Sequence, residues 1–551
     1  RFMKKVFVIL LITSLLLSVT AFAADIKRGG TLRMTSIKQG ILIENFNPFS
    51  PNTNEMAIGG FYETLIYFNS MTGRIMNWLA ESYEWSDDLL ELTFNLREGV
   101  LWNDGAPFTE EDVLFTIGLG KDNRALDVAS LWSTGVTGVR SDKPMTVTFT
   151  FSDVNTTIIQ RFSSVFIVPE HIWSKVDDPL TWIGEGIPVS TGPFILKEGS
   201  FSEQSFSVVR NPNYWQIGED GKPLPYIDEV LTLTTTNEQV PLRLARGEFD
   251  WAGYFVANID EVFVKADPEH FKYWLPEGNL VFLNLNNLKW PFDSYNLREA
   301  IASAIDPFEI TRIMASGAVP ASPAGVKASY LRLAENGLSE YGIEFDPDYA
   351  RYLIEREGYK LSRSGIYEKD GKALSLNLYV PTGWTDWIMG AEEVARQLKE
   401  VGIEVIVTLA AWPSPYQDMI FNGNYEMLFG ISVTGTSPYY QFDNWVHSKH
   451  WAPIGERTKN YYGMRYKNDR IDELLDSYRK LTDPQAQDEV MEEVIAIFLR
   501  DLPSVPMFFN PVWFEYSTRN FVGWPSAENP YAEPRPTGMD KMPVLLSVHL
   551  R

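Results

Sequence analysis

Helical and strand patterns alternate through the second half of the chain, and this alternation restricts the fold more than any other feature of the sequence. Apolar residues recur at helical spacing up to Leu398, the helix pattern stops near Gly402, and a strand pattern follows from Ile403 to Leu409. A strand that follows a helix after so short a connection is typical of parallel crossover units. The sequence therefore predicts an α/β fold.

Three further helices of the second half have a recognisable start. In each, an aspartate that can cap the helix precedes a proline at the first helical position, where the fixed φ of proline is already helical. The three pairs are Asp306-Pro307, Asp346-Pro347 and Asp483-Pro484. These starts place helices between the strands of the second half, as the alternation requires.

The first half is richer in strand patterns. Apolar and polar residues alternate from Leu92 to Leu96 and again from Val147 to Phe151, which is typical of strands with one buried face. Between them, the turn at residues 103–105 precedes Thr109, which should cap a helix that has Asp112 at its third position. We expect a sheet in this region with a helix packed on it.

The length and composition indicate a multi-domain globular protein. A chain of 551 residues is too long for one core, so two or three domains are expected. The net charge of −24 argues against nucleic acid and against an anionic membrane surface as partners, because both need a basic face. Aromatic residues make up 14% of the chain, which favours a binding surface, although aromatic-rich cores account for most of them.

The first 23 residues have the features of an export signal. Lys4 and Lys5 precede an apolar run from Val6 to Leu17, and the segment 21–23 places small residues where a signal peptidase reads them. The run is too short to span a bilayer, so cleavage after Ala23 is predicted. The chain has no cysteine, which excludes disulfides, thiolate metal sites and a lipid-modified cysteine. We therefore expect a periplasmic or otherwise extracytoplasmic protein that is not a lipoprotein.

The stretch from Tyr425 to Trp445 is the strongest candidate for a ligand-contacting surface. No charged residue lies between Glu426 and Asp443, where an apolar strand is followed by hydroxyl side chains and by the tyrosine pair 439–440. Such a surface suits a ligand that is neutral, polar and flat-faced. A buried strand followed by an ordinary polar loop is the alternative. The hydroxyl residues are Ser432, Thr434, Thr436 and Ser437.

Seven segments of the chain, taken in order, carry a family resemblance. They are LREGVLWNDGAPFTEEDVLFTI (96–117), STGPF (190–194), NPNYW (211–215), the YIDEV to RGEFDWA stretch (226–252), LREAIASAIDPFEI (297–310), DPDYARYLIEREGY (346–359) and AEEVARQLKEVGIEV (391–405). This series resembles the bacterial extracellular solute-binding proteins of family 5, which are the peptide, nickel and oligosaccharide receptors of ABC importers. The resemblance covers nearly all of the chain after the export signal.

The resemblance implies two α/β lobes joined by a hinge, the Venus-flytrap arrangement of periplasmic binding proteins, with an additional domain on the first lobe. Ligand contacts to both lobes would then form fully only in the closed form, which a membrane permease recognises. The implied boundaries are 24–65, 188–285 and 515–551 for the first lobe, 66–187 for the additional domain and 286–514 for the second lobe.

The resemblance also bears on the ligand. In peptide-binding members, the strand equivalent to residues 425–432 resembles W-x-A-D, and the aspartate of this motif receives the peptide ammonium. The matching run here is 431–434, so Thr434 stands at the aspartate position and a buried ammonium would lose its counter-charge. This favours the oligosaccharide branch, which includes receptors for cellobiose and longer β-linked gluco-oligosaccharides, with oligopeptides as the alternative. Trp412 falls where the family has a cleft-lining tryptophan.

The other candidate ligand contacts are aromatic and polar residues near predicted strand ends, and for each a structural role is the alternative. Trp251 and Tyr254 follow a Gly-Glu-Phe-Asp turn and should face the cleft from the first lobe. Asn47, Asn279 and Asn284 are candidates for hydrogen bonds to sugar hydroxyls. The remaining candidates are Ser432, Tyr440, Trp384, Trp387, Trp445 and Trp513.

A secreted glycoside hydrolase is the more distant alternative, because such enzymes need only a suitably spaced pair of carboxylates. The chain has 72 acidic residues, and no motif singles out a pair. His447 and His450 have metal-like spacing but no third ligand in a recognisable pattern. We therefore expect a monomeric receptor without catalytic residues, metal or cofactor, whose partners are an oligosaccharide and a permease.

Overall fold

The computed structural model describes residues 26–37, 41–184, 186–314, 317–411, 414–432, 437–458 and 464–551. These residues form two α/β lobes, each built on its own sheet, and a smaller β domain packed on the first lobe. The predicted two-lobed α/β fold is thus confirmed. The predicted export signal, residues 1–23, lies outside the described residues. Within those residues, the structure contains no helix with the length and apolar character needed to cross a membrane.

The first lobe is built on a seven-stranded sheet whose strands come from separate parts of the chain. Thr31–Thr35 lies in the middle of this sheet and runs parallel to both of its neighbours. Leu32 and Met34 of this strand are fully buried, which fixes it in the core of the lobe. In spatial order the strands are Phe271–Tyr273, Glu515–Ser517, Trp251–Ala252, Thr31–Thr35, Glu229–Leu233, Ser205–Arg210 and Phe194–Leu196.

The second lobe is built on a six-stranded sheet that contains three parallel strands. Ser375–Pro381 pairs in parallel with Glu404–Ala410 and with Met427–Ile431, and the helix Thr385–Glu400 connects the first two. The parallel crossover that the sequence predicted is therefore confirmed. In spatial order the strands are Val319–Pro320, Ser504–Pro511, Glu277–Leu285, Met427–Ile431, Ser375–Pro381 and Glu404–Ala410.

The additional domain contains a four-stranded antiparallel sheet. The alternation in the sequence is reproduced, because Leu92, Phe94 and Leu96 all point into the core. At the start of the helix Glu110–Asp122, the backbone nitrogen of Thr109 donates to the Asp112 carboxylate at 3.0 Å, as predicted. The strands of this sheet are Ala80–Trp85, Glu91–Leu96, Thr146–Phe151 and Val136–Arg140.

The predicted aspartate caps are present in the second lobe. The Asp346 carboxylate accepts hydrogen bonds from the backbone nitrogens of Asp348 and Tyr349 at 3.0 and 2.9 Å, and Asp483 accepts one from Ala486 at 3.0 Å. Each cap satisfies donors that the first turn of a helix leaves unpaired. The α-helices of this lobe are Tyr295–Ser303, Pro307–Met314, Glu335–Tyr341, Pro347–Arg356, Thr385–Glu400, Tyr416–Asn422, Pro438–Val446, Asp469–Tyr478 and Pro484–Asp501.

The remaining elements are short and complete the three bodies. The α-helices outside the second lobe are Glu110–Asp122, Glu170–Trp173, Val240–Ala245, Ile259–Val262 and Lys541–Ser547. The 3₁₀ helices used below are Glu55–Ala57 and Thr156–Ser164. Small antiparallel pairs are formed by Ile66–Asn69 with Arg74–Asn77, by Phe521–Val522 with His549–Leu550, and by Tyr367–Lys369 with both Lys360–Leu361 and Lys372–Ala373.

The hinge consists of two neighbouring chain segments that join the sheets of the two lobes. The backbone nitrogen of Trp274 donates to the carbonyl oxygen of Phe514 at 3.0 Å, and that of Val512 donates to the carbonyl oxygen of Pro276 at 2.9 Å. These hydrogen bonds pair the two crossings side by side. The connection is therefore a two-stranded ribbon.

One lobe boundary differs from the sequence-based expectation. The strand Glu277–Leu285 pairs with Met427–Ile431 and Ser504–Pro511 in the second sheet, whereas the sequence placed residues up to 285 in the first lobe. The apolar pattern of this strand fits either sheet, and only its tertiary pairing decides between them. The chain therefore enters the second lobe at about residue 277.

Candidate ligand-binding cleft

The parallel strands identify the edge of each sheet where a ligand is expected. In α/β proteins, ligands bind outside the carboxyl ends of the strands. In the first sheet, Glu515 pairs with Ala252, so the hinge enters the lobe at the carboxyl end of a parallel strand. In the second sheet, Val281 pairs with Ile431, so the hinge again adjoins a carboxyl end. Both carboxyl edges therefore border the hinge, and the cleft lies between them.

Tyr254 fastens the edge of the first sheet. Its buried hydroxyl donates to the carbonyl oxygen of Ser36 at 2.6 Å and lies 3.4 Å from that of Thr235. These two carbonyls directly follow the central parallel strands, so Tyr254 holds their ends together. Beside Thr235, a cavity of about 640 Å³ opens that Gln204 and Gln239 help to line. Its volume lies within the range of about 300–1,000 Å³ that is usual for ligand pockets.

Glu515 lies on the hinge side of the same edge. Its carboxyl group is fully buried, and Oε2 accepts a hydrogen bond from the backbone nitrogen of Tyr254 at 3.3 Å. Oε1 has no hydrogen-bond partner among the described residues. Burial raises the pKa of Glu515 well above its usual range. Burial therefore favours the protonated form of this group.

Glu55 is a second buried carboxyl group of the first lobe. Only 5% of the residue is exposed, and neither Oε1 nor Oε2 receives a hydrogen bond from the part of the chain that the structure describes. The side-chain nitrogen of Asn54 likewise lacks a partner there, while its Oδ1 accepts a hydrogen bond from the backbone nitrogen of Met56 at 3.5 Å. These two side chains are therefore exceptions to the rule that buried polar groups are hydrogen-bonded.

Trp384 follows the parallel strand Ser375–Pro381 at the edge of the second sheet. Its ring is partly buried and packs edge-to-face against Trp387, with 4.8 Å between the ring centroids. Trp387 is buried, and its Nε1 donates to Oδ1 of Asn510 at 3.3 Å. Trp387, a predicted ligand contact, thus lies in the core, where its ring packs against that of Trp384. A ligand contact of Trp384 stays a prediction.

The short segments that directly follow the three parallel strands of the second lobe contain no charged residue, but each is followed by an aspartate, at Asp386, Asp418 and Asp443. Asp386 lies in the first turn of the helix Thr385–Glu400, and burial raises its pKa. Residues 381–385 read PTGWT, residues 410–417 read AAWPSPYQ and residues 432–442 read SVTGTSPYYQF. Ser432 is buried, and its hydroxyl has no hydrogen-bond partner within the described ranges. Trp412 and Thr434 belong to these segments but lie outside the described residues, so their predicted roles stay predictions.

Two predicted site residues lie at the hinge. The ring of Trp513 packs 6.2 Å from that of Phe255, and its shielded Nε1 has no partner among the residues that the structure describes. Asn279 lies near the start of the strand Glu277–Leu285 and is partly buried. Both residues adjoin the cleft, and their contact with a ligand stays a prediction.

The additional domain touches the second lobe and keeps the lobes together. The hydroxyl of Tyr440 donates to the carbonyl oxygen of Thr157 at 2.7 Å, and the backbone nitrogen of Thr156 donates to the carbonyl oxygen of Arg479 at 2.8 Å. The sequence suggested Tyr440 as a ligand contact, whereas its hydroxyl is engaged between the two bodies. These hydrogen bonds join the additional domain to the second lobe.

A charged contact between the lobes complements this one. Lys327 belongs to the second lobe, and burial lowers the pKa of its ammonium group. The carboxylates of Glu533 and Asp540 on the first lobe oppose that shift, because each favours the charged form of the lysine. Burial in turn raises the pKa of Asp540 to about 7, so the two lobes influence each other electrostatically here, without an ion pair of Lys327 with either carboxyl group among the described residues.

Two tryptophans that the sequence offered as ligand contacts lie in cores instead. Trp251 is fully buried, and its ring centroid lies 6.0 Å from those of Phe514 and Trp524. Trp445 is also buried and packs 4.5 Å from Phe498 in the second lobe. The sequence could not separate these roles, because a large aromatic ring is suited equally to a core and to a cleft.

Two asparagines also have positions that differ from the prediction. The side-chain amide of Asn47 donates to the carbonyl oxygens of Pro179 and Trp182, both at 2.7 Å, and so fastens the additional domain to the first lobe. Asn284 is fully buried in the middle of its strand, where a Cβ atom at Gly430 would lie 2.7 Å from its Nδ2. Neither residue lies at the edge where a ligand is expected.

Sequence reasoning missed Glu55 and Glu515. Both are buried in the first lobe, and each has at least one carboxyl oxygen without a partner in the described part of the chain. No local pattern distinguishes them from the other acidic residues among the 72 of the chain. Their burial arises from tertiary packing, and only the structure shows it.

The paired sheets, the ribbon hinge and the cleft between two carboxyl edges define a two-lobed solute-binding protein. The family model described as "Bacterial extracellular solute-binding proteins, family 5 Middle" matches residues 74–453. The chain belongs to this family, as the seven sequence segments indicated. A small-molecule ligand, an ABC permease partner and an extracytoplasmic location follow from membership, and the family is one of receptors.

Known proteins resemble the chain over nearly its whole length. The periplasmic oligopeptide-binding protein of an oligopeptide ABC transporter from Thermotoga maritima has a TM-score of 0.85 and 27% identity, with 95% of this chain and 99% of that chain covered. Its mannohexaose-bound structure has a TM-score of 0.78 and 27% identity, covering 95% and 98%. A putative ABC transporter peptide-binding protein of Brucella ovis is 22% identical over 88% of this chain and 89% of its own length.

Proposed function

We propose that this chain is the receptor of an ABC importer for neutral oligosaccharides, which it captures by closing its lobes. The observation that carries this proposal is the run from Met427 to Phe442, which contains no charged residue and begins with a parallel strand of the second lobe. A peptide brings a terminal ammonium and a carboxylate, and each would lose its hydration against this run without gaining a counter-charge. A sugar brings only hydroxyls and apolar ring faces, which match hydroxyl side chains and an edge tryptophan.

The Thermotoga maritima protein that contains mannohexaose supports the same ligand class. It is 27% identical to this chain and covers 95% of it. Its ligand shows that a close structural relative with an oligopeptide-binding name can hold a hexasaccharide. We favour β-linked hexose oligosaccharides, with cellobiose and longer gluco-oligosaccharides or their manno-counterparts as the candidates.

The energetics require many contacts. Micromolar affinity corresponds to about 8 kcal/mol. One sugar face that covers on the order of 50 Å² of an aromatic ring contributes only roughly 1 kcal/mol. Trp384 alone is therefore insufficient. Hydrogen bonds from both walls are needed, and these form together only when the lobes close.

Titration calorimetry tests the ligand class. The protein is titrated with cello-oligosaccharides, manno-oligosaccharides and short peptides at low and high salt. We expect a sugar to bind with an affinity that changes little with salt, because a neutral ligand brings no charge for ions to screen. Binding of a peptide with strong salt dependence, and of no sugar, would contradict the proposal.

Small-angle X-ray scattering tests the mechanism. With saturating sugar, the radius of gyration should be smaller than without it, because the ligand stabilises the closed arrangement. An unchanged radius would argue for a rigid site. A ligand that fails in calorimetry serves as the control for non-specific effects of added sugar.

An oligopeptide is the second candidate ligand. Relatives such as the Brucella ovis protein carry peptide-binding names. The calorimetric panel above separates this candidate from the first.

A further inference from the structure

The cavity of about 640 Å³ in the first lobe opens where the strand Glu229–Leu233 ends. Backbone hydrogen bonds fix its border: the nitrogen of Ser36 donates to the carbonyl oxygen of Leu233 at 2.8 Å, and that of Thr234 donates to the carbonyl oxygen of Gln204 at 2.9 Å. These bonds tie the segments that follow two parallel strands to the segment that precedes the strand Ser205–Arg210. The cavity is therefore bordered by a firmly connected sheet edge.

The cavity lies on the side of the cleft that is remote from the hinge. In the first sheet, the hinge strand Glu515–Ser517 is followed by Trp251–Ala252, by Thr31–Thr35 and then by Glu229–Leu233, whose end borders the cavity. Neighbouring strands lie about 4.8 Å apart, so the strand at the cavity is roughly 14 Å from the hinge strand. The cavity therefore extends the cleft toward its outer end.

The side chains that line the cavity are within reach of a ligand. Gln204, Gln239 and Arg246 are all exposed, so solvent already reaches their polar groups. Ile41 also lines the cavity and is 65% exposed. Its apolar surface would be covered favourably by the face of a sugar ring. The cavity is therefore open and can receive the end of a ligand that extends outward along the cleft.

The four charged residues that line the cavity balance one another. Arg243 donates from Nε to the Glu248 carboxylate at 2.7 Å and from Nη1 to the carbonyl oxygen of Thr234 at 2.6 Å. Glu203 and Arg246 add one charge of each sign. Because the four charges sum to zero, they favour neither an ammonium group nor a carboxylate. A neutral ligand suits this lining best.

The uncharged polar residues of the lining match hydroxyl groups. Gln204 and Gln239 each have a side-chain amide that both donates and accepts hydrogen bonds, and Ser205 and Thr236 add hydroxyls. The hydroxyls of a sugar are likewise donors and acceptors, so each can pair with either half of an amide. The lining therefore fits a unit of a neutral sugar chain.

We propose that this cavity is the outer subsite of the cleft and that Gln204 and Gln239 bind the terminal units of a long oligosaccharide there. This inference rests on the proposed function and adds a preference for chain length. A disaccharide that binds beside the hinge ends before the cavity, whereas a hexasaccharide reaches it. The hydrogen bonds made in the cavity therefore increase the affinity of the longer chain only.

The test is titration calorimetry of wild type, Gln204→Ala, Gln239→Ala and the double variant with cellobiose and cellohexaose, and with the corresponding manno-oligosaccharides. Wild type should bind the hexasaccharide about tenfold or more tightly than the disaccharide. Each single substitution should weaken hexasaccharide binding by roughly twofold to tenfold, because it removes hydrogen bonds, and should leave disaccharide binding unchanged. The double variant should lose most of the length preference. All melting temperatures should equal that of the wild type, because both glutamines are exposed.

Gln216→Ala is the matched control. This glutamine belongs to the same lobe but lies beyond the opposite end of the strand Ser205–Arg210, where its Nε2 donates to the hydroxyl of Tyr214 at 3.1 Å. Its affinities for both chain lengths should equal those of the wild type. If wild type binds both lengths equally, or if the cavity variants keep their hexasaccharide affinity or lose both sugars alike, the outer subsite is refuted and the proposed function stands. If wild type binds no sugar, the proposed function itself fails, and the subsite with it.

Discussion

The first lobe buries two carboxyl groups, Glu55 and Glu515, whereas the run from Met427 to Phe442 in the second lobe contains no charged residue. The two lobes thus differ in composition here: buried carboxyl groups on one side, hydroxyls and aromatic rings on the other. A neutral second wall can close over the first without bringing a further charge out of water. We infer that the uncharged run of the second lobe determines which ligands the closed cleft accepts.

A charge placed on the second-lobe side of the cleft should have the largest effect on the affinity for sugar. Thr434→Asp should weaken sugar binding by roughly a hundredfold or more, because closure would bury a carboxylate that lacks a counter-charge. Thr434→Asn has the same shape without the charge and is the control. Calorimetry with the best sugar measures both variants. Equal affinities of the two variants would show that charge on this wall is unimportant.

Removing the aromatic ring from the second wall should have the next largest effect. Trp384→Ala should weaken sugar binding by about 1 to 3 kcal/mol, the range for a lost aromatic anchor. Trp290→Ala is the matched control: its Nε1 donates to the Tyr359 hydroxyl, and it lies far from the carboxyl edge. The control should lose stability without losing affinity. Similar affinity losses in both variants would assign the effect to unfolding.

The buried Glu515 of the first lobe can be tested through the pH dependence of folding stability, because burial raises the pKa of this group well above its ordinary value of 4.5. The folded protein then holds a proton that the unfolded chain has released. Folding stability from this group is present below pH 4.5 and falls as pH rises above it, by up to about 1.4 kcal/mol per pH unit.

Glu515→Gln should remove this dependence, since an amide has the shape of the neutral acid and does not titrate. Urea unfolding at pH 4, 6 and 8 measures the difference between variant and wild type. The affinity for sugar at neutral pH should change little. A difference that stays constant with pH would show that Glu515 is ionised in the folded protein.

The smallest effect is expected at the contact between the additional domain and the second lobe. Tyr440→Phe removes the hydrogen bond to the Thr157 carbonyl oxygen. Such a bond contributes about 0.5 to 1.5 kcal/mol, so sugar binding should weaken by roughly twofold to tenfold. Small-angle scattering of the unliganded variant should show a larger radius of gyration than the wild type. Unchanged scattering and affinity would mean that this contact does not hold the lobes together.

The fold class could be predicted because its signals are local. The helix Thr385–Glu400 and the strand Glu404–Ala410 follow from the spacing of apolar residues, and the aspartate caps act within one helical turn. The strand Glu277–Leu285 shows the limit of such signals. Its pattern is correct for a strand, but its sheet depends on partners more than 100 residues away.

The candidate site was less accessible to sequence reasoning. Trp251 follows a predicted turn, and Trp384 follows a predicted strand. Trp251 packs in a core, whereas Trp384 lies at the edge of the cleft. Glu55 lies in a short 3₁₀ helix with no distinguishing sequence pattern, and its burial arises from the tertiary fold. The charge-free run after residue 426 could be identified from the sequence, because the residue type determines the charge, whereas burial depends on tertiary packing.

The hydrogen-bonded hinge limits the ways in which the lobes can move. Because Trp274 is bonded to Phe514 and Val512 to Pro276, sliding or spreading of the two crossings would break backbone hydrogen bonds, whereas bending across the ribbon keeps them. The relative motion of the lobes thus has essentially one degree of freedom. We infer that different ligands bring the lobes to a similar closed shape. A permease that reads this shape would receive a binary signal, occupied or empty, whatever ligand lies inside.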